Sequence, residues 1–359
     1  MTATPHLLQR IGITHPIIQA PMTGSDTPQL AAAVSRAGGL GSLGCGARSP
    51  AAMREAAAEV RAATDRPFAM NLFVLQTPAP DPAQVQAALK RLAPLYARFG
   101  LPLEPPARWC QDFGAQWDAL LELKPAVASF TFGLLSGTQV EQLHRAGCLV
   151  AGTATTVAEA LAWQNVGADA VVASGVEGGG HRGTFLAQTA DDWAASQIGT
   201  MALVPACVDA LSIPVIAAGG IMDGRGIAAA LALGAQAAQL GTAFLACPES
   251  ALVPAWREAL AQADGSDTRL TRVFSGRWAR GIVNAAMREL GPEEDALPAY
   301  PIQNALMGPV RRAAAAAGDG GHMALWAGQG VGAVRVQPAT VLVRQLAAEL
   351  ARISQPPAR

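Results

Sequence analysis

The sequence predicts a parallel α/β fold closed as a (β/α)8 TIM barrel, and three observations carry that prediction. Eight short apolar runs alternate with alanine-rich helical stretches, the pattern of parallel strands joined by crossover helices. The chain is 51% hydrophobic and 15% charged, which calls for a large, well-filled core. The residues least expected in a buried strand or an outer helix fall just after the apolar runs, where the active face of a barrel is built. An open doubly wound sheet shares the alternation, and strand count alone does not separate the two.

The first run, 16–21 (PIIQAP), precedes a loop through Met22 and Gly24 and a helix over 27–37, which stops at Gly38 and Gly39. The second run, 40–45, leads through Ser49 as N-cap and Pro50 as first helical residue into a helix over 51–63. The third, 68–74 (FAMNLFV), carries one polar residue, Asn71. From about 75 to 125 prolines recur and helical stretches cover 82–99 and 111–123, too long for an ordinary crossover and therefore read as an insertion.

The fourth run, 126–132 (AVASFTF), and the fifth, 148–153, are followed by helices over 136–146 and 156–166. The sixth, 170–174, runs into a glycine-rich loop. The seventh, 214–218, ends at Gly219 and Gly220 before a helix over 224–233, and the eighth, 237–240, runs into Gly241 and Thr242. Residues 247–329 intervene before a last apolar helix over 338–353. So long a segment between a barrel strand and its helix reads as a lid or active-site wall. The expected organisation is a barrel of 1–246 and 330–359 with a helical insertion, and a lid or substrate segment of 247–329.

A net charge of −1 without a basic run gives no electrostatic case for nucleic acid or an anionic membrane as partner. No apolar run reaches the roughly 18 residues that span a bilayer. The N-terminal stretch lacks a long apolar segment of the signal-peptide kind, so a cytoplasmic location is expected. Five widely spaced cysteines without a CxxC pair argue against a disulfide framework and against a zinc site, and no metal is expected. The oligomeric state is not legible.

The loop 173–183 (ASGVEGGGHRG) concentrates the chemistry. Glycines after a strand let the backbone approach a ligand closely, and His181 is a titratable group held near whatever they approach. Gly219 and Gly220 after the seventh run, with Gly241 and Thr242 after the eighth, offer backbone N–H groups, a hydroxyl and helix N-termini to a phosphate. The alternative is that Gly219 and Gly220 form merely a tight turn. Buried Asn71 needs a partner, either a heterocycle or neighbouring backbone. Met22 offers a soft contact to a planar ring or fills the core. Glu177 could serve as a base, but it is expected rather to pair with Arg182 or to accept backbone hydrogen bonds within its loop. His6, His15, His144 and His322 are read as structural or surface residues, His322 being notable for lying in the lid segment.

These stretches resemble the nitronate monooxygenases of the 2-nitropropane dioxygenase type, which are FMN-dependent (β/α)8 barrels. The matching stretches are QAPM (19–22), MNLF (70–73), GVEGGGHRG (175–183), PVIAAGGIMDGRG (214–226), QLGTAFL (239–245), SGRWARGIVN (275–284), AYP (299–301) and WAGQG (326–330), in family order along nearly the whole chain. The resemblance implies FMN contacts at Met22, Asn71, Ser174, Gly179, Gly219, Gly220, Gly241 and Thr242, with His181 as catalytic histidine and Tyr300 facing substrate from the lid. It implies oxidation of alkyl nitronates, and in some members neutral nitroalkanes, by dioxygen. Two positions depart from the family pattern: Ser174 stands where a glutamine is common, and Thr131 stands in the substrate region where a histidine is expected (SFTFG). A flavin-dependent NAD(P)H enoyl reductase shares this barrel and loop histidine, and a non-catalytic FMN-binding protein is the remaining alternative.

Overall fold

The computed structural model describes residues 6–354. Its strands are β1 (Ile17–Gln19), β2 (Gly41–Gly44), β3 (Phe68–Phe73), β4 (Val127–Thr131), β5 (Leu149–Ala154), β6 (Ala170–Ser174), β7 (Gly180–His181), β8 (Val215–Ala218), β9 (Ala237–Leu240), β10 (Thr268–Thr271) and β11 (Ala279–Ile282). Eight of them form one parallel sheet in the order β1-β9-β8-β6-β5-β4-β3-β2. A parallel bridge between Ile18 and Leu40 joins the two ends of that order. There Gln19 N–H donates to Leu40 O at 2.9 Å and Leu40 N–H donates to Ile17 O at 3.0 Å. The sheet is therefore a closed barrel, and closure removes the open doubly wound alternative.

The barrel is filled from its N-terminal end. Ile18, Leu40, Ala69, Val127, Ala151, Val172 and Ile216 form an inner apolar cluster with Leu7 and Ile11. The short helix Leu7–Ile11 lies across that end, held by Leu7 N–H donating to Gln236 Oε1 at 2.9 Å and by an ion pair of Arg10 with Asp169. Asp169 also accepts from Val150 N–H at 2.8 Å, tying this helix to β5. The interior is thus core rather than channel, and the open face is the one at the C-terminal strand ends.

The outer helices follow the predicted order: Pro28–Arg36, Pro50–Ala63, Phe113–Leu123, Gly137–Arg145, Val157–Asn165, Gly224–Ala232 and Ala339–Ser354. Thr27, Ser49, Asp112, Ser136, Thr156 and Asp223 cap their N-termini, each accepting a backbone N–H in the first turn. The crossover between β6 and β8 is the helix Thr200–Ala210, absent from the sequence reading because it contains Pro205 and starts at Gly199 without a side-chain cap.

In the stretch after β3, Phe113–Leu123 packs on the main core through Trp117, Ala119 and Leu120. Pro82–Arg98 belongs elsewhere: Val85, Leu89, Leu92 and Leu95 join Val273, Phe274, Leu306 and Val310 from the segment after β9. That later segment contributes the helices Pro254–Gln262 and Ile302–Ala316 and the antiparallel pair β10–β11, and β11 pairs antiparallel with β7. One sheet therefore links the late segment to the loop that follows β6. Among the described residues no helix is long and apolar enough to cross a membrane.

Candidate active site

His181 is positioned by backbone pairing rather than by a free loop. Gly180, at φ 74°, turns the chain out of the glycine run, and His181 then pairs with Ala279 while Arg182 N–H donates to Trp278 O at 2.8 Å. Arg182 is buried, and its guanidinium donates to Ser174 O at 2.8 Å and Gly175 O at 2.7 Å, folding the loop back on the end of β6. Glu177 makes no ion pair with Arg182. It accepts from Thr200 N–H and Oγ1, both at 2.9 Å, and so places a carboxylate on the N-terminus of the β6–β8 crossover helix.

Around the imidazole stand Phe132 (5.4 Å between centroids), Trp326 (5.4 Å), Tyr300 (5.7 Å) and Phe73 (6.4 Å). Phe73 and Phe132 stack at 4.2 Å. Phe132 has φ 78°, a left-handed conformation that a bulky residue adopts only when its surroundings impose it. Ring nitrogen Nε2 of His181 lies 2.9 Å from Ser275 Oγ, and no partner for Nδ1 occurs among the described residues. Nδ1 is not among the sealed, partnerless polar atoms of the described residues, so it keeps some exposure beside these rings.

The charges nearest the imidazole are cationic, Arg277 feeling the Glu159 carboxylate only at longer range. Arg277 lies with Cζ 4.1 Å over the Phe132 ring and donates from Nε to Arg182 O at 3.2 Å. Arg311 donates to Asn304 O at 2.8 Å and Asn304 Oδ1 at 2.9 Å. Neither forms a salt bridge within the described residues. Burial lowers both guanidinium groups to about 10, which leaves them charged at neutral pH. Burial first, then Arg277 and Arg311, pushes His181 down to about 3. His181 is accordingly a neutral imidazole. Burial pushes the Tyr300 phenol up to about 12, so it stands in the site as a neutral hydrogen-bond donor.

The remaining predicted residues line the strand ends. Asn71 Nδ2 donates to Ser129 Oγ at 3.0 Å and to Thr131 Oγ1 at 3.4 Å; side chains of β4, rather than backbone, accept from its NH2 group. Thr131 Oγ1 lies 3.3 Å from Thr153 Oγ1, so the residue in the histidine's place belongs to a chain of polar side chains across β3, β4 and β5, an amide and then hydroxyls. Ser174 ends β6 half-buried. Met22 is fixed through its backbone: its N–H donates to Asp26 Oδ2 at 2.7 Å, and the same oxygen accepts from Gly44 N–H at 2.7 Å. Burial raises Asp26 to about 6, against the pull of Arg48, which donates to Oδ1 at 2.8 Å.

Gly219 and Gly220, at φ 109° and 71°, turn the chain sharply after β8. The backbone N–H groups of Gly179, Gly219, Gly220, Gly241 and Thr242 have no acceptor among the described residues. They lie on adjoining loops: a Cβ on Gly178 would approach Gly219 Cα to 3.6 Å, and Thr242 Oγ1 accepts from Gly328 N–H at 2.9 Å beside Gly179. Free N–H groups on adjoining loops, two of them at the start of the short helix Thr242–Leu245, form a donor set suited to a phosphate.

His181 and Tyr300 thus stand ring to ring, Thr131 lies at the end of the neighbouring strand β4, and the five free N–H groups lie on the loops after β6, β8 and β9. His322 lies apart, buried, with Nδ1 2.6 Å from Asp319 Oδ2 and its ring 5.5 Å from Phe99, where it fastens the late segment to the helix Pro82–Arg98. Ser275, Arg277, Arg311, Phe73, Phe132 and Trp326 were not singled out from the sequence. The one signal for the first two was their place in the SGR tripeptide of a recognised stretch.

A closed parallel barrel with a neutral histidine and two arginines free of ion pairs at its strand ends suits an oxidative enzyme acting on a small anion, and comparison with known proteins places the chain among flavin-dependent oxidative enzymes. The nitronate monooxygenase family model matches residues 4–349. A nitronate monooxygenase of Pseudomonas aeruginosa is 45% identical over 354 residues, covering 97% of this chain and 99% of that one. The crystal structure of a nitroalkane oxidase from Streptomyces ansochromogenes superposes with a TM-score of 0.89 at 44% identity, covering 96% of this chain and 98% of that one. FabK of Thermotoga maritima follows at a TM-score of 0.75 and 30% identity, with 98% and 97% covered. The chain belongs to the nitronate monooxygenase family.

Proposed function

We propose that this protein oxidises alkyl nitronates, and more slowly neutral nitroalkanes, with dioxygen on a bound FMN, giving a carbonyl compound and nitrite. The observation that carries this reading is the pairing of a neutral His181, open at Nδ1, with two arginines that have no carboxylate partner. A cationic site of this kind attracts an anionic nitronate and stabilises the nitronate formed from a neutral substrate.

The flavin reading rests on the donor set. The N–H groups of Gly179, Gly219, Gly220, Gly241 and Thr242 would hold the phosphate, while Met22, Asn71 and Ser174 would line the ring system. When bound, FMN supplies the electron chemistry. The protein's own residues do the rest. Arg277 and Arg311 place the nitro oxygens by charge, Tyr300 offers its phenol proton, and Phe73, Phe132 and Trp326 exclude water around the reacting carbon. For a neutral nitroalkane, His181 Nδ1 takes the α-proton; for a nitronate no proton needs to be removed. The arginines oppose charging of His181, yet they favour the nascent nitronate as well, so the transfer is governed by which of the two lies closer to them.

The test is identification of the flavin released on denaturation, followed by oxygen uptake and nitrite formation with matched nitronate and nitroalkane pairs. Non-covalent FMN and turnover with nitronates are expected. Protein without flavin, or a flavin that NAD(P)H bleaches rapidly under anaerobiosis with no nitronate oxidation, would overturn the reading.

A further inference from the structure

The hydrogen-bond accounting at Ser275 goes beyond the residues assigned so far. Ser275 is fully buried in the turn between β10 and β11, and β11 is the strand that pairs with His181. Its hydroxyl has three neighbours: His181 Nε2 at 2.9 Å, Arg277 O at 3.0 Å and Arg277 N–H at 3.3 Å. A serine hydroxyl has one proton and two lone pairs. The Arg277 N–H occupies one lone pair. Arg277 O has no other donor among the described residues, so the hydroxyl proton goes there. The second lone pair is then left for His181, which must supply a proton from Nε2.

The opposite assignment leaves two groups unsatisfied. If Ser275 donated to Nε2, Arg277 O would lose its only donor, and the imidazole proton would sit on Nδ1, where no protein acceptor is found among the described residues. Buried groups left in that state are disfavoured, and the first arrangement leaves none.

We propose that Ser275 is the positioning residue that fixes His181 in its Nε2–H tautomer, so that the Nδ1 lone pair faces the substrate as proton acceptor. This rests on the reading of His181 as base towards neutral nitroalkanes. The charged and titratable groups facing the imidazole are Arg277, Arg311 and Tyr300. None of them is a carboxylate that could set the tautomer from the Nδ1 side, which leaves Ser275 as the controlling partner.

The experiment is nitrogen-15 NMR of histidine-labelled protein, purified with its flavin, with the His181 signals assigned from their loss in H181N. The expected result is a protonated, pyrrole-type Nε2 and a bare, pyridine-type Nδ1. In S275A the tautomers should mix, and kcat/KM for nitroethane should fall about 10- to 100-fold, further than that for ethyl nitronate. In S275T, which keeps the hydroxyl, the tautomer and the nitroethane rate should return. A protonated Nδ1 in the unsubstituted protein overturns the proposal whether or not S275A folds, and so does an S275A protein with unchanged tautomer and nitroethane rate. If the tautomer is as stated but H181N oxidises nitroethane normally, the base reading of His181 fails while the control exerted by Ser275 stands.

Discussion

Arg277 holds its guanidinium 4.1 Å over the ring of Phe132, whose backbone sits at φ 78°. The two residues come from β11's approach and from the end of β4, so the contact joins the late segment to the barrel at the site itself. A left-handed bulky residue costs about 1–3 kcal/mol, and a cation over an aromatic face returns about 0.5–2 kcal/mol. R277Q should therefore lower stability by about 1 kcal/mol and raise KM for nitronates about 10-fold, the loss of one charged contact. Urea denaturation and steady-state kinetics check the two parts separately, and an unchanged KM would remove Arg277 from substrate binding.

Protonation of His181 gives a second expectation. Its acid constant lies near 3 against the ordinary 6.5, so the neutral form prevails throughout the physiological range. The kcat/KM profile for a neutral nitroalkane should show no inflection near pH 6.5, where an ordinary histidine base would lose activity. The same shift acts on folding. Below pH 6.5 the unfolded chain takes up a proton at this residue and the folded chain does not, so stability from His181 is lost progressively from about 6.5 towards about 3. H181N should be less sensitive to acid over that window in denaturation experiments. A slope equal to that of the unsubstituted protein would show that the imidazole titrates normally.

The loops after β1 and β2 meet on a single carboxylate, and this supplies a third expectation. Asp26 Oδ2 accepts from Met22 N–H and Gly44 N–H while Oδ1 takes the Arg48 guanidinium. D26A would leave two backbone N–H groups without their acceptor and Arg48 without its counter-ion. Breaking such a pair costs about 3–5 kcal/mol, and the Met22 loop loses its anchor. Denaturation should show the loss of stability, and fluorescence titration should show flavin bound at least about 10-fold more weakly. Full stability with unchanged flavin affinity would mean that Arg48 and Asp26 play no part in holding the loop.

The barrel was legible because its strands are short apolar runs bounded by glycine or proline, and a parallel strand buried on both faces needs no other signal. The strands β10 (TRLT) and β11 (ARGI) carry arginine at Arg269 and Arg280 and lack that signature, so the sheet reaching His181 was invisible. His181 itself could be read because the glycines announcing a ligand are its immediate neighbours. Its partner Ser275 lies 94 residues away, and only tertiary pairing brings them together. Arg311 was hidden for a related reason: on a surface helix an arginine is ordinarily solvated, and nothing local reveals that this one faces inward.

The tightest steric limit at the cradle concerns Gly179 and yields the last expectation. A Cβ on Gly179 would stand 2.5 Å from Gly328 N and 2.6 Å from Ala327 C, both backbone atoms that have no rotamer to retreat into. Gly328 is held from the other side by Thr242 Oγ1, and Gln329 N–H donates to Glu177 O at 2.9 Å. The segment 326–330 is therefore clamped between the loop after β6 and the short helix after β9, and it cannot move without disturbing both. G179A should displace it and open the cradle formed by Gly219, Gly220, Gly241 and Thr242. The expected outcome is loss of flavin during desalting and an affinity about 100-fold weaker, with barrel stability reduced by about 1–3 kcal/mol. G180A provides the contrast, since no atom lies within 4 Å of its added Cβ and only its φ of 74° is strained. Should G179A retain flavin as firmly as G180A, the closeness of Gly179 to Gly328 serves packing alone and the phosphate must be held elsewhere.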